Sequence, residues 1–229
     1  MTAMVEYLPH IIAGALITLW IALASLALAV GIGLVGAHCK LSRHPVLRQG
    51  AAWYATIVRG VPELVWMLFL FFGAQIWLNR LCEWLQWDSI DIDPVLAGIL
   101  TLGFIYGAYM TETFRGALLA VPAGQREAGL SLGMNRLQVQ TRIVLPQMIV
   151  LALPGLSNNW MVLIKSTALV SVLGVSDLMH RADLAKSATG KPFAAYLTVC
   201  LVYLAITSVS AWLIRWLERS APQANRSSV

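Results

Sequence analysis

The sequence predicts an all-α integral membrane protein with about five transmembrane helices, and three observations point to this fold class. Apolar residues make up 59% of the chain and charged residues only 12%, about half the charge of an average soluble domain. Several apolar runs reach the roughly 20 residues that a helix needs to cross the hydrocarbon core. The basic residues lie mainly in short segments beside these runs, as the positive-inside bias predicts. The net charge of +5 therefore does not indicate nucleic-acid binding.

The connections between the apolar runs predict the orientation of the chain. The predicted spans are 11–36, 52–78, 95–119, 148–174 and 193–215. Basic residues are in excess in the first connection, in the third and in the C-terminal tail, which contains Arg215, Arg219 and Arg226. This bias predicts an N-terminus outside and a C-terminus inside. The first span is too long for the apolar core of a signal peptide and no Lys or Arg precedes it, so we expect no cleavable signal.

Several patterns with a chemical meaning elsewhere are interpreted here as structural. Residues 31–36 match G-x-G-x-x-G but end a span instead of following a strand, so close helix packing explains them better than a dinucleotide site. Cys39, Cys82 and Cys200 match no metal or redox spacing. The four histidines are scattered at span edges, and no Ser-Lys or Cys-His pairing lies in adjacent spans, so a membrane-embedded enzyme is not indicated.

The third connection, about 120–147, is a polar and helix-prone insert between apolar spans. Pro122 can open a short helix because its missing N–H has no partner in a first turn. Gly133 suits the left-handed residue that ends such a helix. Asn135 followed by Gln138 is a weak capping box for a second helix that runs towards Pro146. The sequence therefore predicts two short helices with a sharp break.

Apolar side chains inside this polar insert predict a docking surface. Ala128, Leu130 and Leu132 would lie exposed on a short helix, and such a strip fits a groove on a protein partner. Glu127, near the start of the helix, is favoured by the helix dipole and could pair with a basic residue across the interface. The alternative is an amphipathic helix on the membrane surface, which the low density of basic residues and the glycine break disfavour.

The insert resembles the coupling loop of ATP-binding-cassette importer permeases, whose pattern is E-A-A-x-A-L-G-x4-Q-x-F-x-x-I-x-L-P-Q. The chain departs from this pattern at Gly129 and Ser131, which are usually Ala, and at Gln140, which is usually Phe. The matching positions are Glu127, Ala128, Leu132, Gly133, Gln138, Ile143, Leu145, Pro146 and Gln147. The residues that the resemblance implies in contact with a cytoplasmic ATPase are Glu127, Ala128, Gly129, Leu132, Gly133, Leu145 and Pro146.

The resemblance extends over nearly the whole chain. Residues 59–65 resemble the R-G-x-P-x-L-V of polar amino-acid permeases, and residues 159–171 resemble their N-x5-K-x-T-x-L-x-S segment. Residues 90–94 and 101–117 closely resemble Q-type permease subunits of importers for histidine, lysine, arginine and ornithine. This implies a single transmembrane permease domain over 1–229, with the type I ABC importer (MetI-like) fold. It also implies a bacterial inner-membrane location, with a periplasmic N-terminus and a cytoplasmic C-terminus.

The resemblance also implies a function and partners. The expected function is translocation of basic amino acids, with opines or other polar amino acids as the alternative. The implied partners are a sister M-type permease, two copies of a cytoplasmic ATPase, a periplasmic amino-acid-binding protein and membrane lipid, with no nucleic acid. The chain contains no phosphate-cradling G-x4-G-K-[ST] sequence, so ATP and Mg would be bound by the ATPase and no cofactor by this chain. An ion-gradient-driven secondary transporter is disfavoured because no inverted repeat is visible and five spans do not divide evenly.

Ionisable residues within spans are candidate substrate-path residues, because each is costly in the membrane without a partner. Glu112 shares a helix face with Tyr109 and Arg115. It is either a counter-charge for a cationic substrate or half of a self-neutralising pair with Arg115, and we prefer the pair. Glu63 could likewise serve a cationic substrate, or pair with Arg59 one turn earlier.

The fourth span contributes the remaining candidates. Lys165 lies well inside this span, with Asn158 and Asn159 about two turns earlier and Thr167 following. Such a polar stripe can line a water-filled path without facing lipid. Lys165 would meet a substrate carboxylate or form an ion pair with a neighbouring glutamate, and the sequence leaves both readings open.

Overall fold

The computed structural model describes residues 2–220, which form nine α-helices and contain no strand. Arg226, counted above in the basic tail, lies outside the described residues. The helices are α1 Thr2–Lys40, α2 Pro45–Gly60, α3 Glu63–Trp84, α4 Pro94–Ala120, α5 Ala123–Ser131, α6 Arg136–Val139, α7 Leu145–Ser166, α8 Leu178–Thr189 and α9 Pro192–Ser220. Five stretches are long and apolar enough to cross a membrane: Pro9–Lys40, Glu63–Trp84, Pro94–Ala120, Arg136–Leu173 and Pro192–Arg219. The prediction of an all-α chain with five spans is confirmed.

Helix α4 is the centre of the bundle, with 61% of its most apolar window buried, against 6% for α3 and for α9. It packs chiefly against α1 and α7. Small residues allow this close approach, since a Cβ added at Gly33 would lie 2.4 Å from the Cβ of Met110. A Cβ at Gly36 would likewise collide with Thr111. The interpretation of residues 31–36 as a helix-packing segment is therefore confirmed for Gly33 and Gly36.

The predicted second span, 52–78, is wrong at its start. Helix α2 ends at Gly60, Val61 is extended with φ −113° and ψ 138°, and α3 begins at Glu63 after Pro62. The residue before a proline avoids the helical region, and proline offers no N–H to continue a helix. The prediction treated α2 and α3 as one span because both are apolar. The structure shows that the helix is interrupted between them.

The fourth connection contains a helix that the sequence analysis did not predict. Asp177 caps α8 by accepting from the His180 N–H at 2.9 Å, and Gly190, with φ 66°, ends the helix. Leu178, buried at the start of α8, belongs to the same small apolar cluster as Ile11 of α1. A further clamp joins α8 to α9, where Asp183 accepts from Lys186 at 2.8 Å and from Tyr196 at 2.7 Å. Both donors hold the pKa of Asp183 below its usual range.

The fourth span is one continuous helical rod that begins earlier than predicted. Helix α6 does not stop before Pro146 but passes through a π-helical turn, Gln140–Val144, into α7. The wider π-helical turn accommodates Pro146. Proline has no N–H to donate to the preceding turn, and its ring would clash with the carbonyl four residues earlier in a regular α-helix. After α7 a 3₁₀ segment, Thr167–Leu173, ends at Gly174, which has φ 86°.

Candidate functional site

The segment from the end of α4 to the start of α7, which we term the coupling segment (residues 120–147), contains the predicted break at Gly133 between two helices, although the second helix continues into α7. Gly133 has φ 82°, so it occupies the left-handed position expected of it. The Asn135 side chain accepts from the Gln138 N–H, and the Gln138 side chain accepts from the Asn135 N–H, both at 2.9 Å. This reciprocal capping box explains why the chain re-enters a helix immediately after the glycine.

An apolar strip on the coupling segment is exposed. Leu132 is 84% exposed, Leu137 72% and Leu130 48%. Ala128 is exposed beside them, and the Glu127 side chain is also exposed, with no hydrogen bond or ion pair to the described part of the chain. Exposed apolar side chains on short helices outside the bundle are typical of a surface that binds another protein.

Gly129 has the opposite environment and holds the two short helices together. It is buried, and a Cβ there would lie 2.6 Å from the Cδ1 of Ile143 and 3.0 Å from the Cγ2 of Val139. The departure from the usual alanine therefore brings α5 closer to the start of the rod. Leu145 and Pro146 are exposed at the far end of the π-helical turn.

A polar cluster forms where the chain breaks between α2 and α3, at the level of the middle of α4. The Tyr106 hydroxyl donates to Glu63 Oε1 at 3.0 Å and lies 2.7 Å from Ser166 Oγ, so Ser166 donates to Tyr106. Tyr109 stacks near Tyr106, and the Arg59 guanidinium lies 5.3 Å from the Tyr109 ring centroid. Glu63 therefore has a hydroxyl partner and forms no ion pair with Arg59, so that one of the two alternatives for Glu63 is absent.

Glu112 belongs to a different cluster, nearer the end of α4 that leads to the coupling segment. It accepts from Arg115 Nε at 2.9 Å, which confirms the predicted pair, and it also accepts from Lys40 Nζ at the end of α1. The Lys40 and Glu112 side chains are only 16% and 21% exposed. This triad carries one net positive charge, so its carboxylate is already neutralised within the chain.

The polar residues of α7 do not form a single stripe. Asn159 is buried against α4 and donates to Thr113 Oγ1 at 3.0 Å. Thr167 is also buried, bonded to the Ile164 carbonyl at 2.7 Å. Asn158 is exposed and faces α9 across a shallow groove. Of the predicted path residues, only Glu63 and Tyr109 share one cluster.

Lys165 is the candidate substrate-path residue whose charge is exposed within a membrane span. Its side chain is exposed, although it lies within the fourth span, and it forms no hydrogen bond or ion pair with the residues that the structure describes. An ammonium group cannot face hydrocarbon without a large penalty. The face of α7 that carries Lys165 must therefore meet water or another protein.

Asp177 is a functional candidate that the sequence did not indicate. Its side chain is fully buried between α1 and α8, Oδ1 caps α8, and Oδ2 has no hydrogen-bond partner within residues 2–220. Burial raises its pKa to about 6, partly offset by the His180 N–H. Tyr106 was also missed, because no charged residue lies three or four positions from it in the sequence, which is the spacing that singled out Tyr109. No group of three His, Cys, Asp or Glu that could hold a metal occurs in the described range.

Residues 29–221 match the family model described as binding-protein-dependent transport system inner membrane component. The chain is 50% identical over 209 residues to the histidine/lysine/arginine/ornithine transport system permease protein HisQ of Escherichia coli strain K12, covering 91% of this chain and 92% of that protein. It is 39% identical to the arginine ABC transporter permease protein ArtQ of Haemophilus influenzae, covering 93% and 94%. A crystal structure of an amino acid ABC transporter with histidines superposes with a TM-score of 0.81 at 32% identity, covering 95% of this chain and 97% of that one.

Proposed function

The chain belongs to the family of binding-protein-dependent transport system inner membrane components, and from that premise we propose that it is the permease subunit of an ATP-driven importer for basic amino acids. Its fold is that of the type I ABC importer permeases. The relatives that it matches over most of their length are amino-acid transport permeases. The observation that carries the proposal is the exposed apolar strip of the coupling segment, in which Ala128 and Leu132 match the pattern of the coupling loop.

The coupling segment supports an ATPase partner because it combines exposure with rigidity. Leu132 and Leu137 lie on either side of Gly133, which has a left-handed backbone, and Leu137 lies within the reciprocal Asn135–Gln138 capping box. These two features fix the backbone that positions both leucines before a partner binds. Pre-ordered apolar groups lose little conformational entropy on binding. ATP and Mg would be bound by that ATPase, since the chain carries no phosphate-binding loop of its own.

The exposed faces of the spans support a proposal for the remaining partners. Helices α3 and α9 are almost unburied within the single chain, and α7 exposes Lys165. We infer that a second, M-type permease covers part of this surface, that two ATPase copies bind the two coupling segments, and that a periplasmic binding protein delivers the substrate. The alternating opening would be a rigid-body rocking of one permease against the other.

The charges within the spans indicate which residues suit a cationic amino acid. Glu112 already has two cationic partners and offers no free counter-charge. Glu63 is bonded only by a hydroxyl, and Arg59 is held over an aromatic ring instead of on the carboxylate. We therefore assign Glu63 and Tyr109 to the side chain of the substrate and the unpaired Lys165 to its carboxylate.

The orientation is inferred from the coupling segment. If α5 meets a cytoplasmic ATPase, the ends of α1 and α4 that carry Lys40 and Glu112 face the cytoplasm. The N-terminus is then periplasmic and the C-terminus cytoplasmic, in agreement with the basic excess of the first and third connections.

The test is uptake of labelled histidine and arginine into proteoliposomes that contain this chain, its sister permease and the ATPase. Loaded binding protein is added outside, and ATP is supplied inside or omitted. We expect uptake that requires both, and that falls at least tenfold with Glu127→Arg. The control is Gln125→Arg, which introduces the same cationic side chain on the other side of α5. Uptake driven by an ion gradient without ATP would make the chain a secondary transporter instead.

A second variant separates a path role of Lys165 from a structural one. Lys165→Met keeps the length of the side chain and removes its charge. If Lys165 binds the substrate carboxylate, the complex assembles normally by size-exclusion chromatography and uptake is lost. Failure of this variant to assemble would place Lys165 in an ion pair with the sister permease.

A further inference from the structure

An apolar groove runs along the side of the bundle, away from the coupling segment and from the Glu63 cluster. It lies between α1, α2 and α4, has a volume of about 620 Å³, and is lined by Ala27, Gly31 and Val35 of α1 with Tyr54 and Phe104. The Tyr54 hydroxyl does not open a polar site there, because it donates to the Phe104 carbonyl at 2.6 Å. The groove therefore suits an apolar ligand of a size within the usual ~300–1,000 Å³ range.

The length of the groove matches one leaflet of a bilayer. Its lining on α1 extends from Ala27 to Gly36, which corresponds to about 14 Å of helix. Half of a hydrocarbon core is about 15 Å. One end lies near Phe104, in the middle of α4, and the other ends beside Thr111, next to the Lys40–Glu112 ion pair. An acyl chain entering from the Lys40 side would reach the bilayer midplane where the groove ends.

A basic surface without acidic partners lies at the open end of the groove. Arg43 and Arg48 are exposed, and their side chains form no hydrogen bond or ion pair with the described part of the chain. No Asp or Glu occurs anywhere between residues 7 and 62. Each basic residue near an anionic membrane surface contributes about 1 kcal/mol, so this turn favours an anionic group over a neutral one.

The outer face of α2 is apolar and exposed, as expected of a surface in contact with lipid. Val46, Trp53 and Ile57 recur on one helix face and are 80%, 65% and 48% exposed. An exposed apolar stripe that begins beside basic residues is typical of a helix surface that faces lipid. The groove, its length and the basic turn are thus continuous with a lipid-facing surface.

We propose that the groove between α1, α2 and α4 binds one acyl chain of an anionic phospholipid, whose head group is held by Arg43 and Arg48. In the orientation inferred above, this lipid belongs to the cytoplasmic leaflet. Gly31 lines the groove, and a Cβ added there would meet nothing within 4 Å, so the space beside this residue is open. A larger side chain at this position would fill the site without disturbing the α1–α4 contact.

The test uses the complete complex of both permeases and the ATPase in nanodiscs. Phosphatidylglycerol with a photoactivatable acyl chain is compared with phosphatidylcholine carrying the same chain, and labelled peptides are identified by mass spectrometry. We expect the phosphatidylglycerol probe to label residues 27–54 preferentially. Gly31→Leu should reduce this labelling to background, and Arg43→Gln with Arg48→Gln should weaken it about fivefold for each residue.

Two matched controls distinguish a defined site from bulk lipid. Gly116→Leu fills open space on another exposed face, and Arg219→Gln removes an exposed arginine from α9. Neither should change the labelling of residues 27–54. Equal labelling by both lipids, or labelling that survives Gly31→Leu, would overturn the proposal. An absence of labelling in the assembled complex would also overturn the proposal, because it would mean that another protein surface covers the groove. Labelling needs no transport, so this result is independent of the uptake experiment.

Discussion

Replacing Leu132 by Ala tests whether the exposed strip of the coupling segment binds the ATPase. Leu132 is 84% exposed, so the change removes little packing within the chain and should leave the thermal unfolding of the isolated permease unaltered. In the complex, each buried methylene-sized group is worth about 0.8 kcal/mol, so the roughly three carbon atoms lost contribute about 2 kcal/mol if a groove buries the exposed fraction. That corresponds to about 30-fold weaker binding of the ATPase.

The assay is a titration of the ATPase onto the permease pair in nanodiscs, followed by the ATP hydrolysis that loaded binding protein stimulates. The matched control is Leu204→Ala, since Leu204 is a leucine of α9 that is 62% exposed and lies far from the coupling segment. Leu132→Ala should weaken binding and lower stimulated hydrolysis in proportion, whereas Leu204→Ala should change neither. An affinity for the ATPase that is unchanged, or that falls equally in both variants, would refute the assignment of this strip.

Three further substitutions probe the bundle itself. Gly33→Ala should lower the thermal unfolding midpoint, because its Cβ would lie 2.4 Å from that of Met110 and overpacking costs about 1–3 kcal/mol; Gly31→Ala, with open space, is the control. The pKa of Asp177 is raised from 3.8 to about 6, so the folded state holds its proton more tightly. The free energy of unfolding should then fall by about 3 kcal/mol as pH rises from about 4 to 6, and Asp177→Asn should flatten this slope. Glu112→Gln should destabilise the complex by about 2 kcal/mol, because its two cationic partners lose their carboxylate. Lost uptake at unchanged stability would instead favour a role in substrate binding.

The elements that the sequence predicted well are those with a strong local signal. Apolar runs longer than a bilayer core predicted five spans, because few other structures bury such runs. Gly133 and the Asn135–Gln138 pair predicted the break and restart of the coupling segment, because left-handed backbone and capping depend on adjacent residues alone. Helix α8 was missed because it is short and has no strong apolar periodicity.

The contacts that the sequence could not predict are those between residues far apart in the chain. Glu112 has a predictable partner three residues away in Arg115, but Lys40 is 72 positions distant. Likewise Arg59 was the alternative partner that the sequence offered for Glu63, whereas the observed partner, Tyr106, lies 43 positions away. The backbone breaks at Val61 and Pro62, and Glu63 then begins α3 within hydrogen-bond distance of α4.

The continuity of the fourth span connects the docking surface to the polar cluster. From Arg136 the backbone is helical through the π-helical turn and α7 to Leu173, so the exposed Leu137 and the buried end of α7 belong to one rod. Ser166, near the far end of that rod, bonds at 2.7 Å to Tyr106 of α4, and Tyr106 in turn bonds to Glu63. A tilt imposed on Leu137 by an ATPase must therefore either move α4 with the rod or separate Ser166 from Tyr106. The second outcome would remove the hydrogen bond that Ser166 donates to Tyr106, whose hydroxyl holds Glu63. It would link nucleotide-driven motion to the carboxylate best placed to meet a cationic substrate.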